Sequence, residues 1–232
     1  MFQPDHNASP LNPLPWAVSF LALLVTGIEL LFGAGERGFI GGPEAVGWRL
    51  TAIRDWGVID PVFDWMVQTG QFPPSELARL LTYPLIHAGF THALFVVVFI
   101  LALGKMVGEI FSPAALLSVF FGSAVFGALA YVLLLDERTP LVGGYPGVYG
   151  LIGAFSYILW MNLSATGHNR YRAFTLIAVL LGIQLVFGLI FGGGNDWVAD
   201  FAGFVMGFFM SFVVSPGGVQ RMRDWVARAR QR

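Results

Sequence analysis

Six apolar stretches, at about Pro15–Phe32, Pro84–Leu103, Pro113–Leu135, Gly143–Leu163, Ala173–Phe191 and Trp197–Val214, run through this sequence. Each reaches or approaches the ~20 residues that a helix needs to cross the hydrocarbon core of a bilayer. A segment inside lipid must satisfy its own backbone N–H and C=O groups, which a helix does within one strand of chain. The fold class that follows is an all-α membrane protein, a bundle of six transmembrane helices. Composition agrees. With 56% hydrophobic and 12% charged residues, the chain carries about half the roughly 25% charge of a soluble domain, so a soluble globule is excluded. A formal net charge of -1 offers no basic excess to neutralise a phosphate backbone, and no nucleic-acid partner is expected. Cysteine is absent, which removes disulfides, thiolate metal sites and thiol nucleophiles. The sixth stretch is the weakest, since it contains Asp200 and follows Gly192-Gly193-Gly194. A cleavable leader is not expected, because the first basic residue, Arg37, follows the first apolar run instead of preceding it.

An even number of spans puts both termini on one side. That side collects eight basic residues, namely Lys105, Arg170, Arg172 and the five arginines from Arg221 to Arg232, against Arg37, Arg49, Arg54, Arg79 and Arg138 opposite. The bias predicts cytoplasmic termini. One transmembrane domain over residues 15–214 is then flanked by a short segment, 1–14, and a basic tail, 215–232. The roughly fifty residues between the first two spans carry Trp48, Trp56, Phe63, Trp65 and Met66. A solvated linker has no use for three indoles, so this loop is expected to lie partly in the outer interface, with Asp60-Pro61 opening a short amphipathic helix. Trp16, Trp160 and Trp197 fall at the ends of spans, where amphipathic rings sit well. Glu29, a turn from the end of the first span, is expected to reach out to the interface.

Two seams of small residues stand out. Gly143, Gly147, Gly150 and Ala154 recur at helical spacing in the fourth span, and Ala199, Gly203, Gly207 and Ser211 recur every four residues in the sixth. Helices in lipid associate through close van der Waals packing, so the seams predict that these two helices touch. Pro146 and Asp200 stand near the starts of the two seams. A proline in the first turn of a helix is tolerated because its missing N–H has no intrahelical partner. A carboxylate at membrane depth needs a partner or a wet cavity.

Three motifs bear on chemistry: His87-Ala88-Gly89-Phe90-Thr91-His92 at the start of the second span, Gly144-Tyr145-Pro146-Gly147 at the start of the fourth, and Ala199-Asp200 at the start of the sixth. In order and spacing they resemble the His-Ala-Gly-x-x-His, Gly-x-Ser-Gly and Ala-His motifs of the rhomboids, a family of six-span intramembrane serine proteases. The resemblance covers about Arg79 to Val214. It implies a rhomboid-like six-helix bundle with a long interfacial loop between helices 1 and 2, set in a bacterial inner membrane. It also implies that the peptidase chemistry is gone. Pro146 stands where the family has its nucleophile, Asp200 where it has its base, and Val96 where it has the oxyanion-binding Asn, while His92 is retained. Arg79 matches the Arg of a family Trp-Arg pair whose Trp position is Ala78, and Glu109 matches a family Glu after the second span.

Acyl transfer needs an activated hydroxyl, a base and donors aimed at the oxyanion. This chain lacks the first and substitutes the second, so the expectation is a pseudoprotease. Its cavity, bounded by His92, Tyr145, Pro146 and Asp200, would hold transmembrane segments of partner membrane proteins without cutting them. Asp200 is expected to meet His92 or Tyr145 there. The alternative is a rhomboid-type peptidase with a displaced nucleophile, Ser123 or Ser156, although Ser156 lies some 15 Å along the helix from Pro146. No cofactor or metal is expected. His87 and His92, five apart, point about 140° apart on one helix, and Asp196 and Asp200 do not form a proton-sharing pair because the first sits in a Gly-rich loop. A transporter is disfavoured by the scarcity of intramembrane charge and of broken helices.

Overall fold

The computed structural model describes residues 13–191 and 194–229. The N-terminal segment up to residue 12, Gly192 and Gly193, and the last two arginines of the basic tail lie outside the described residues. Helix α1 (Trp16–Glu36) is followed by a 3-10 turn at Pro43–Gly47 and three short helices, α2 (Trp48–Trp56), α3 (Asp60–Thr69) and α4 (Pro74–Thr82). Helices α5 (Phe90–Gly108), α6 (Pro113–Leu134), α7 (Tyr145–Ala165), α8 (Thr175–Phe191), α9 (Trp197–Val214) and α10 (Gly218–Ala229) complete the order. Among the described residues no strand forms, and six helices are long and apolar enough to cross a membrane. They are α1, α5, α6, α7, α9 and α8 with the 3-10 turn that leads into it, so this is a multi-pass integral membrane protein.

Local sequence sets the ends of these helices. Ser112 caps α6 by accepting the Ala115 N–H at 3.2 Å, with Pro113 at the first helical position. Pro146 occupies the first turn of α7, where its missing N–H leaves no bond unmade. The second span starts later than its hydropathy indicates. Pro84 lies in a 3-10 turn, the chain is extended at Ile86 and Gly89, and α5 begins only at Phe90. The segment between α1 and α5 is ordered as α2 to α4, and the Asp60-Pro61 signal corresponds to α3. Arg79 fastens this segment, donating to the carbonyls of Arg54 and Gly57 at 2.8 and 2.9 Å and to Glu76 at 2.6 Å. Trp160, half-buried, lies under the Arg170 guanidinium and against Phe174 rather than free at a span end.

Helix α7 is the centre of the bundle. Every residue from Pro146 to Ala154 is buried, packed between α5, α6 and α9. Helices α7 and α9 touch at backbone distance: a β-carbon on Gly207 would collide with the Gly150 carbonyl, one on Gly203 with the Pro146 carbonyl, and one on Gly153 with the Phe204 carbonyl. The α7 seam is not a single face, however. A β-carbon on Gly147 would lie 2.8 Å from Phe120 of α6, and one on Gly150 would run into Ser123 of the same helix. At 100° per residue, Gly153 turns toward α9 while Gly147 and Gly150 turn toward α6, and Gly150 meets Gly207 of α9 through its backbone carbonyl. Gly143 is not on the helix at all. It has φ +99 in the turn before α7, and a β-carbon there would be 2.5 Å from the His92 ring.

Glu29 does not reach out to the interface. It is 6% exposed and its two oxygens take NH1 and NH2 of Arg49, each at 2.8 Å. The same guanidinium donates to Glu36 at 2.6 Å and to the His87 carbonyl at 2.9 Å, tying α1, α2 and the approach to α5 together. The Glu29 hydrogen bonds, with those of Glu36, push the Arg49 pKa upward and keep it charged despite its burial. A carboxylate this deep is satisfied more fully by a planar, bidentate partner than by stretching toward water.

Candidate functional site

A cavity of about 350 Å³ lies at the end of the bundle that carries α2 to α4. Helix α5 contributes Thr91, His92 and Phe95, α7 contributes Tyr145 and Pro146, α8 contributes Gln184, and α9 with its leading turn contributes Asp200 and Asp196. His92, Tyr145, Pro146 and Asp200 therefore line one space. Val96 does not line it. That side chain is fully buried against Gly144, at the approach to α7.

The histidines are held in a ring stack. His92 lies flat on Tyr145, with ring centroids 5.1 Å apart and planes 17° apart, and edge-on to His87 at 5.1 Å. The 140° separation expected for the two histidines assumes one continuous helix, but His87 precedes α5 and its ring comes back against that of His92. His87 Nε2 accepts the Gly144 N–H at 3.3 Å, so it carries no proton and helps fix the turn into α7. Tyr83 pins the same turn from the other side, accepting the Gly143 N–H at 3.0 Å on its carbonyl and donating its hydroxyl to the Ala124 carbonyl at 2.7 Å. His92 Nε2 is buried and has no hydrogen-bond partner among the described residues.

Asp200 is 2% exposed, and its partner is neither His92 nor Tyr145. Gln184 of α8 donates its amide to Asp200 Oδ2 at 2.9 Å, and the Gln184 carbonyl accepts the Tyr149 hydroxyl at 3.0 Å. One chain of hydrogen bonds thus crosses α7, α8 and α9. Sequence reasoning passed over Gln184, although it is the single side-chain amide in the fifth apolar stretch and was open to the same argument as Asp200: an intramembrane polar group needs a partner.

Among the described residues, no serine lines the cavity. Ser123 and Ser156 are both buried within the bundle, their hydroxyls without a hydrogen-bond partner among the described residues, Ser123 against Gly150 and Ser156 within α7. Around the cavity, no Ser or Thr hydroxyl is hydrogen-bonded to a histidine or carboxylate in the described residues. The Thr166–His168 pair, 3.0 Å apart, sits in the turn at the far end of α7. A hydroxyl without an adjacent base is a poor nucleophile.

Comparison with known proteins places this arrangement among relatives. The family model for the Rhomboid domain matches residues 74–217. The chain is 29% identical over 143 residues to the putative rhomboid protease YdcA of Bacillus subtilis, a match covering 60% of this chain and 68% of that protein. It is 27% identical over 149 residues to inactive rhomboid protein 1 of Danio rerio, covering 62% of this chain and 16% of the relative. It is also 27% identical over 161 residues to human rhomboid-related protein 3, covering 65% and 39%. The last two relatives are thus much longer than the region they share with this chain, and the three names include both a protease and an inactive protein.

Proposed function

This chain belongs to the rhomboid family, and we propose that it is a pseudoprotease: a membrane protein that receives transmembrane segments of partner proteins in its cavity and releases them uncut. One observation carries the reading. The cavity brings Pro146 and Asp200 together where the family resemblance places nucleophile and base, and no serine among the described residues lines it. Proline has no group to attack a carbonyl, and the Asp200 carboxylate is hydrogen-bonded to Gln184 and, among the described residues, to no hydroxyl. Removing one member of a catalytic triad already costs several orders of magnitude in rate. His92, stacked on Tyr145, remains as a polar wall. What is left is a cavity with polar groups, which suits holding the end of a transmembrane segment.

The same reading covers the site's frame and setting. Gly143, Gly147, Gly150, Ala154, Ala199, Gly203 and Gly207 act as packing residues around the cavity floor: Gly203 and Gly207 admit the α7 backbone, Gly147 and Gly150 admit α6, and Gly143 admits the His92 ring. The domain occupies residues 15–214 and the basic tail docks at the membrane surface, where Arg221 already holds Tyr157 and Ser215 at 3.1 and 2.8 Å. The bias of basic residues supports cytoplasmic termini in a bacterial inner membrane, with the cavity opening to the opposite side.

Purified protein treated with a serine-directed fluorophosphonate probe is expected to stay unlabelled. Labelling at any serine, lost together with peptide cleavage when that serine is replaced by Ala, would restore the displaced-nucleophile peptidase in place of this reading.

A further inference from the structure

The cavity proposed to receive a client is lined by two carboxyl groups, Asp196 and Asp200, and, among the described residues, by no Lys or Arg. Asp200 is 98% removed from solvent by its 2% exposure, and only its Oδ2 is engaged, by Gln184 at 2.9 Å. Among the described residues no donor meets Oδ1. The Gln184 amide cannot turn to supply a second bond freely, because its carbonyl is held by Tyr149 at 3.0 Å. Asp196, four residues earlier, lines the same space, and among the described residues no Lys or Arg does. The buried arginines at this end are committed elsewhere: Arg49 to Glu29 and Glu36, Arg79 to Glu76 and two carbonyls.

A carboxylate at this depth is costly without a cation or water to face it. Asp200 lies in the first turn of α9, at the end of the bundle where a span meets the interface. The cavity, at about 350 Å³, is near the lower end of ligand-pocket volumes, roughly 300–1,000 Å³. It has room for one long side chain and the helix end that carries it, not for a whole helix. A Lys or Arg placed a turn inside a transmembrane segment fits both demands, with an apolar stem along Phe95 and a cationic head at the carboxylates.

We infer that the cavity selects client segments bearing a Lys or Arg about one turn from the end that meets this side of the membrane, the cation pairing with Asp200 and Asp196. The inference rests on the client-binding reading and gives it a chemical specificity. A direct test uses the full chain in phosphatidylcholine liposomes and two photo-crosslinkable Leu/Ala peptides of about 20 residues, one with a single Lys a turn from that end and one with Met there. The Lys peptide is expected to bind roughly tenfold or more tightly, the scale of one charge-assisted contact. The preference should vanish in Asp200→Asn and narrow in Asp196→Asn, with thermal unfolding showing that each variant folds. If Asp200→Asn fails to fold, Asp196→Asn and the wild-type peptide pair still decide. Equal binding of the two peptides by wild type overturns this inference and leaves client binding standing. Binding of neither overturns the client reading and this inference with it. A Lys preference that survives in both variants overturns the assignment to these carboxylates.

Discussion

Gly207→Leu is expected to disrupt the bundle more than any other single change on the α7–α9 face. Overpacking a core ordinarily costs about 1–3 kcal/mol, because side chains can shift to make room. Here the first added atom already meets the Gly150 carbonyl, which is backbone on a helix buried on every side. Neither partner can yield without moving a helix, so the loss should reach about 3 kcal/mol or more, seen as a large fall in Tm in detergent or as failure to fold. Gly207→Ala should show part of the same loss. Gly27→Leu is the matched control: nothing lies within 4 Å of where its β-carbon would be, and its Tm should stay close to that of the wild type. Equal Tm values for Gly207→Leu and Gly27→Leu would mean that α7 and α9 are not in backbone contact.

The second large effect is expected at Arg49. Replacing it by Met keeps most of the stem and removes the guanidinium, leaving the Glu29 carboxylate at 6% exposure without its counterion. Stranding one member of a buried pair costs about 3–5 kcal/mol, far more than an exposed pair is worth. The His87 carbonyl loses a donor in the same step, so the damage should spread to the approach to α5. Adding Glu29→Gln removes the stranded charge, and the double variant should recover a large part of the lost stability. Unfolding followed by intrinsic fluorescence for the two single variants and the double variant reads this directly. If Arg49→Met alone is as stable as the wild type, the buried pair does not anchor α2 to α1.

These two sites also mark how far a sequence carries the argument. The six spans are legible because hydrocarbon imposes a length and a polarity on each, independent of its neighbours. The approach of α7 to α9 is legible because Gly203 and Gly207 have no other use at that spacing. Which way Gly147 points is not, since one step of 100° separates the α9 face from the α6 face and both neighbours welcome a glycine. Glu29 could not be paired from sequence. Its partner comes from α2, on a separate element twenty residues on, and only the fold brings Arg49 back over α1. The motifs brought His92, Pro146 and Asp200 to one cavity, whereas Gln184 lies in a stretch that no motif marks. Val96, one turn along α5 from His92, is buried against Gly144 and not on the cavity wall, a difference of depth that motif spacing does not show.

The central claim is that a segment enters this cavity and leaves uncut. The most direct measurement is the mass spectrum of a Lys-bearing transmembrane peptide recovered after being held and crosslinked-competent in proteoliposomes with the full chain, under conditions where binding has been established. Intact peptide only is expected, at any time of incubation. Two fragments that meet at a single peptide bond, accumulating with time and absent from protein-free liposomes, would contradict it.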